Sequence, residues 1–386
     1  MLNLRSISDQ FDARLSAIKS YDMERSTLSE EYRSELKKLN VIDISMNVHL
    51  NTYSGAKLFE PGKLIHSFPF NWKNRHDAIE WVDSVLSGVV VGAVDGSQIY
   101  SDKNYEIPLA VIQTSQILNR HTNDSDYKEI MEAEIITPDE FESASVYSFG
   151  SEYVDARRFA LECDSIVRLT KEDDKPCVML DGALILSHIN VLNRNIRGIY
   201  VRAITKLLDA SEKTRTPVIG FIDTTMPSDI TLMMHLLFGL KKSKLSDTHL
   251  FSHLLWGERT AAFLCDRDDR RGEDSKSVLD NYGRFRNEIA FFYIRVGNGL
   301  PARVEFPAWV YGKKEIDKIA DIIRAECIIR GNYPDILMRA HDAAVIRMSE
   351  HELFYGMFDN FCKAHGIRVN KSAKQFHKAI SVKGKS

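Results

Sequence analysis

The sequence is short of most features that announce a chemistry at once. Its five cysteines, at 163, 177, 265, 327 and 362, are scattered, with no CxxC and no Cys/His cluster at zinc-finger spacing. An odd, dispersed set among apolar neighbours excludes a disulfide scaffold and a structural zinc site, and predicts reduced core thiols in a cytoplasmic protein. No stretch approaches the roughly 18 uninterrupted apolar residues of a membrane span. The opening MLNLRS lacks the apolar centre of a signal peptide. A cytoplasmic location without membrane contact is the expectation. There is no GxGxxG after a strand and no GxSxG, so nothing points to a dinucleotide cofactor or a serine hydrolase. The closing Gly384-Lys385-Ser386 is not a phosphate-binding loop, because Ala379 stands where its first glycine belongs. The chain is not expected to hydrolyse ATP by itself. Positive charge is not in excess either. With 51 Lys and Arg against 54 Asp and Glu, the net charge is −3, so any nucleic-acid contact has to rest on a local basic surface.

What is present is the material of a soluble α/β protein. At 386 residues the chain suffices for one large or two ordinary domains, and 44% hydrophobic with 27% charged residues is a globular composition. Leu4, Ile7, Phe11, Leu15 and Ile18, then Leu28, Tyr32, Leu36 and Leu39, recur at helical spacing. They predict a helical N-terminal arm over 1–45 that packs on the body of the protein, the preferred reading, or on a second subunit. Residues 41–75 read as irregular and 75–87 as a short helix. An apolar run ending at Asp95, then 107–118 and 128–137, reads as a three-strand meander. Helix 152–171, strand 177–181, helix 197–213 and strand 218–222 follow as a parallel α/β pattern. Residues 228–264 read as helical, 266–276 as a mobile polar surface loop, 289–296 and 302–306 as strands, and 313–329 and a segment from Pro334 as helices. The main domain is then 46–360, with a helical insertion at about 226–280. Residues 361–386 form a basic tail, with Lys371 and Lys374 among its cations and no acid after Asp359.

Two apolar runs end alike: VVVGAV delivers Asp95-Gly96-Ser97, and VML delivers Asp181-Gly182-Ala183. Three antiparallel strands followed by helix, strand, helix, strand is the layout of the ribonuclease H-like fold, a mixed central sheet flanked by helices. In it the first and fourth strands are neighbours, so Asp95 and Asp181 are expected side by side. Glu162 shares a helix face with Phe159, Ile166 and Leu169, the face that has to pack on the sheet. A carboxylate there calls either for a metal ion or for a salt bridge to Arg157, Arg158 or Arg168, and spacing alone leaves both open. His341, on the last helix, is the fourth candidate, against the plainer reading of a histidine hydrogen-bonded to a neighbour. Carboxylate oxygens suit Mg²⁺ or Mn²⁺, and a histidine ligand tilts the preference to Mn²⁺. Two such ions about 4 Å apart activate water and stabilise the leaving oxygen of a phosphodiester. Gly96 and Gly182 would let the backbone turn beside the ions, and Ser97 would contact phosphate or cap the turn.

VVVGAVDGSQI around Asp95, RRFALECDSI around Glu162, VMLDGAL around Asp181 and GNYPDILMRAHDAAVI around His341 occur in that order. With RVEFPAW at 303–309, they resemble the NurA nuclease domain over about residues 85–350. The resemblance implies a ribonuclease H-like, Mn²⁺-dependent DNA nuclease with single-strand endonuclease and 5′-to-3′ exonuclease activity. It implies a homodimer docked on a hexameric HerA/FtsK-like ATPase, in DNA repair or anti-phage defence. It carries the family's metal positions onto Asp95, Glu162, Asp181 and His341. Where relatives carry a lysine after the strand ending at Ile222, this chain has Asp223-Thr224-Thr225, so Asp223 is an outer-shell ligand or a plain strand-end residue. Ser97, Tyr333, Arg339, Lys371 and Lys374 are the candidates for DNA contact; Lys241, Lys242, Lys244, Arg270 and Arg271 are further candidates for phosphate, although the run Lys241–Lys244 reads rather as a solvated face. Two other readings stay open: a catalytically weak adaptor of such an ATPase, and an RNA-directed ribonuclease H-like enzyme.

Overall fold

The computed structural model describes residues 2–69, 72–122, 127–144, 150–270, 275–313 and 315–369. The arm is two helices, α1 (Leu4–Ala13) and α2 (Leu15–Leu36). Only the last turns of α2 reach the body, burying Ser29, Tyr32 and Leu36. There Tyr32 donates its hydroxyl to the Lys241 carbonyl at 2.7 Å, and Arg33 donates to the His249 and Leu250 carbonyls. The expected packing of the whole arm is thereby corrected: Leu4, Phe11, Leu15 and Ile18 stay exposed. A 22-residue helix is about 33 Å long. With its anchors in the C-terminal third, the rest of the stripe meets no surface of this chain.

α3 (Arg75–Leu86) starts at Asn74, whose side chain accepts from the Asp77 amide, and leads into β1 (Val91–Ile99). β2 (Ala110–Asn119) and β3 (Lys128–Ile136) complete the antiparallel meander. α4 (Ser151–Leu169) crosses to β4 (Cys177–Asp181), parallel to β1, and α5 (Arg194–Thr214) crosses to β5 (Val218–Ile222), parallel to β4. The spatial order β3-β2-β1-β4-β5 is that of the ribonuclease H-like fold.

Beyond β5 the sheet continues antiparallel through β8 (Ala302–Pro307), β7 (Ile289–Ile294) and β6 (Phe263–Asp266) to an edge strand, Gly55–Leu58. Two expectations fail here. Residues 41–75 are not merely irregular, since they supply that edge strand. The stretch 226–280 is not a helical insertion: after α6 (Asp229–Phe238) and the turn Asp247–Leu250 it turns to strands. Short apolar runs buried on both faces carry no period that separates strand from helix. Nor is 266–276 wholly a surface loop. Asp266 is buried and accepts from Ser54, and Arg267 pairs with buried Asp229 at 2.6 Å. Charges that neutralise one another inside look, in sequence, like charges outside.

Along the strands, side chains alternate between two cores. Val94, Val178, Leu180 and Val218 pack with Phe159, Ile166 and Ile204 of α4 and α5. Val91, Ala93, Met179, Ile219 and Phe221 pack with Trp81 of α3, Ile319 and Ile323 of α7 (Glu315–Arg330) and Ala340 of α8 (Asp335–Ala344). Covering both faces is what makes the apolar runs unbroken. All five cysteines are buried and free. A last helix unforeseen in the sequence, α9 (Met348–Ala364), lies over the exit of β1, where Tyr355 stacks on Tyr105 at 4.5 Å and donates to the Tyr100 carbonyl. Among the described residues no helix is long and apolar enough to cross a membrane. Lys371 and Lys374 of the basic tail lie outside the described residues.

Candidate active site

β1 and β4 pair with Val94 opposite Leu180, so Asp95 and Asp181, one residue further on, stand side by side. Alternation puts both on the face covered by α8. From α8, His341 brings Nδ1 to 2.9 Å from Asp95 Oδ2. A carboxylate only accepts, so Nδ1 carries the proton of that bond, which leaves Nε2 as the nitrogen that a neutral ring would offer to a metal. Tyr333, just ahead of α8, donates its hydroxyl to Asp181 Oδ1 at 2.7 Å while its ring meets Phe221 edge-on at 5.3 Å.

Asp95-Gly96 is not the turn that the dipeptide suggested. β1 runs straight through it, with Asp95 opposite Ser115 and Gly96 opposite Thr114. The glycine serves another purpose. Its side-chain direction faces α4, and a Cβ there would stand 2.7 Å from Glu162 Oε1. Gly96 is therefore a window through the sheet, by which Glu162 approaches Asp95 from the opposite face. Asp181-Gly182 does end its strand, and Gly182 has φ of +146°.

Of the two readings left open by its spacing, Glu162 shows the salt bridge in the structure. It packs against the sheet, and Arg158, one helical turn earlier, donates to its Oε1 at 2.5 Å and to the Gly96 carbonyl at 3.2 Å. Burial pushes the Glu162 carboxyl up to about 7, with the charges of Asp95 and Asp181 adding to the rise and Arg158 opposing it. Asp181 is likewise raised, by burial first and then by Asp95 and Asp223, against the Tyr333 hydrogen bond and His341. Asp223 is exposed just past β5, at the same edge as Asp181.

The remaining candidates divide. Ser97 donates to the Ala344 carbonyl at 2.5 Å, joined by Gln113 Nε2 at 3.1 Å, which ties the last carbonyl of α8 to β1 and β2. At the other end of α8 buried Glu326 accepts from the Ile336 amide at 2.8 Å. The helix that aims His341 is thus held at both ends. Arg339 is two residues from His341, about 200° round the helix. It pairs with Asp335 at 2.6 Å and lies over the Tyr127 ring at 4.1 Å, away from the carboxylates.

Sequence reasoning passed over one supporting group, Glu305 of β8. It aligns through Gly220 of β5 with Leu180 of β4. With no side chain at Gly220 in between, its Oε2 accepts from the Leu184 and Ile185 amides at 2.8 and 3.0 Å. That holds the loop following Asp181 from two strands away. RVEFP is visible as a motif, but a contact made across an intervening strand has no local signal.

Among the described residues, no three His, Cys, Asp or Glu side chains close into a metal cage as they stand. Their near oxygens are taken by Arg158, His341 and Tyr333. The donor set nonetheless fits a divalent ion. Carboxylates that raise one another's proton affinity are relieved by a shared cation, and three carboxylates with an imidazole suit a hard or borderline metal.

Comparison with known proteins bears on the fold and the family. No curated protein sequence matches the chain. Among solved structures it is similar to the NurA nuclease from Sulfolobus solfataricus, at 13% identity and a TM-score of 0.56, over 95% of this chain and 98% of that one. A more distant likeness is to the catalytic domain of human endonuclease V, at 12% identity and a TM-score of 0.33, over 89% of this chain and 99% of that one. The NurA domain model matches residues 89–346, which takes in all four candidate ligands. The chain belongs to the NurA domain family.

Proposed function

We propose that this protein is a metal-dependent DNA nuclease, with Asp95, Glu162, Asp181 and His341 as its ligand set and Mn²⁺ as the preferred ion over Mg²⁺. Family membership and a fold shared with an archaeal nuclease support nuclease chemistry. The observation that carries the metal is the convergence of Asp95 and Asp181 on adjacent parallel strands with Glu162 behind Gly96 and His341 in front. A bound divalent ion would supply a water activated near neutral pH and charge stabilisation for the leaving oxygen.

The chain's own residues do the rest. Asp95 and Asp181 present adjacent oxygens on strands rigidly paired to each other. His341 would offer its Nε2, and Tyr333 orients Asp181 through its hydroxyl. Arg158 holds Glu162 and keeps a buried Nε without a hydrogen-bond partner. Assembly as a homodimer on a HerA/FtsK-like hexameric ATPase, serving DNA repair or phage defence, is proposed from the family alone.

The test incubates labelled single- and double-stranded DNA and RNA with the protein and Mn²⁺, Mg²⁺ or EDTA. Asp95→Ala and Asp181→Ala are run in parallel with their folding checked by circular dichroism. Cleavage of DNA that needs the metal and both aspartates is expected. Cleavage that survives EDTA or either substitution overturns the assignment, and preference for RNA replaces DNA as substrate.

A further inference from the structure

The lysine run 241–244, a solvated face as sequence, becomes one wall of a groove. The cavity holds about 420 Å³ between α2 and the segment after α6, and Tyr21, Arg25, Met226, Lys241, Lys242 and Lys244 line it. Tyr21 and Arg25 are one turn apart on the same face of α2, opposite the lysines. Glu24 is the one acid among its lining residues. A chain whose net charge is −3 thus gathers four cations around a single acid. Among the described residues none of the four is held in an ion pair. Asp268, the acid whose carboxyl Lys242 helps to lower, is already bonded to Arg270 at 2.7 Å. Burial, then Arg25 and Arg33, lower the proton affinity of His249 beside the groove, a sign of positive potential there.

Two further features narrow the ligand. Tyr21 is 67% exposed, an aromatic ring with no burial to explain it. A cationic groove with an accessible aromatic is the construction that binds single-stranded nucleic acid, phosphates on the cations and a base on the ring. The lysine wall is also fixed in place, because Tyr32 holds the Lys241 carbonyl at 2.7 Å. Met226, which lines the groove, is three residues beyond Asp223, at most about 11 Å of extended chain. One wall of the groove therefore stands near the edge of the sheet where Asp223 adds to the raised carboxyl of Asp181.

We infer that this groove is a binding track for single-stranded nucleic acid, in which Arg25, Lys241, Lys242 and Lys244 hold backbone phosphates and Tyr21 stacks on a base as the strand leads to Asp95 and Asp181. The inference rests on the nuclease reading for its destination, but binding is measured without cleavage.

The full-length protein in EDTA is titrated into a fluorescent oligothymidylate, and anisotropy is read over a series of salt concentrations. The variants are Tyr21→Ala and the combined Arg25→Glu, Lys241→Glu, Lys242→Glu and Lys244→Glu. All five positions are exposed, and an unchanged melting temperature verifies folding. For single strands the slope of log affinity against log salt is about 0.7 per neutralised phosphate, so the four-fold variant is expected to lose about three from that slope. Tyr21→Ala is expected to weaken binding about tenfold, within the range of one base–aromatic stack. Oligouridylate bound with the same loss supports a backbone reader indifferent to the sugar. An unchanged slope in the four-fold variant, or a loss confined to duplex DNA, overturns the inference. The nuclease reading fails separately, if metal-dependent cleavage is indifferent to Asp95→Ala.

Discussion

A methyl group on Gly96 would stand 2.7 Å from Glu162 Oε1, 3.1 Å from Arg158 Cγ and 3.3 Å from the Gln113 carbonyl. The first two belong to flexible side chains, so the fold can yield, but only by moving Glu162 off Asp95. Gly96→Ala is therefore expected to leave the melting temperature within a few degrees of wild type while lowering cleavage about a hundredfold, the usual effect of a displacement near 1 Å. Steady-state rates beside a melting curve check it, and a variant that cuts at the wild-type rate removes the window. At this scale the sequence named Asp95, Glu162, Asp181 and His341 but misjudged Gly96. Asp-Gly is an ordinary turn dipeptide, and nothing local distinguishes a glycine that bends the chain from one that makes room for a neighbour 66 positions away.

Among the elements, β8 and α6 are locked together by charges that the sequence gives no reason to pair. Asp229 accepts from Arg267 at 2.6 Å and lies 2.9 Å from Arg303, and Arg303 also donates to Glu305 at 2.7 Å. Burial pushes the Asp229 carboxyl up, but Arg267 and Arg303 outweigh it and hold it below the usual range. With the folded value below the unfolded one, the unfolded chain takes up the proton first. The stabilisation is present above the ordinary aspartate value near 4 and lost as pH falls through the lowered one. Asp229→Asn is expected to cost about 3–5 kcal/mol near neutral pH, because it leaves the buried Arg267 guanidinium without a carboxylate and Arg303 with Glu305 alone. It should also flatten the acid limb of the stability curve. Urea unfolding of both proteins across the acid range measures this, and parallel limbs would show that Asp229 does not govern it. Glu305 belongs to the same network, so the loop after Asp181 depends on charges far from it in sequence.

For the whole molecule, metal and fold are expected to be linked. An ion bound by the native state alone, at a hundred times its dissociation constant, adds about 2.7 kcal/mol of stability. Mn²⁺ should accordingly raise the wild-type melting temperature by a few degrees and leave Asp95→Ala and Asp181→Ala unmoved. Equal shifts in all three would place the ion elsewhere. The unpacked N-terminal arm is the largest departure from the sequence reading. Its stripe of Leu4, Phe11, Leu15 and Ile18 has helical spacing whether or not a surface stands opposite.

The sequence by itself determined the strands and helices from Val91 to Ile222, the fold class and, through its resemblance to the NurA domain, the four candidate ligands. Apolar runs buried on both faces and helices of ordinary period are local properties of the chain. Tertiary structure alone decided that Glu162 reaches Asp95 through Gly96, that Arg158 is the arginine that holds it, and that Glu305 steadies the loop beyond Asp181. It also made Lys241–Lys244 a wall facing Tyr21 and Arg25. The physical reason is common to all of them. Each is a contact between side chains brought together by sheet register or helix packing across dozens of residues, and sequence periodicity says which face a residue occupies but not what stands opposite it.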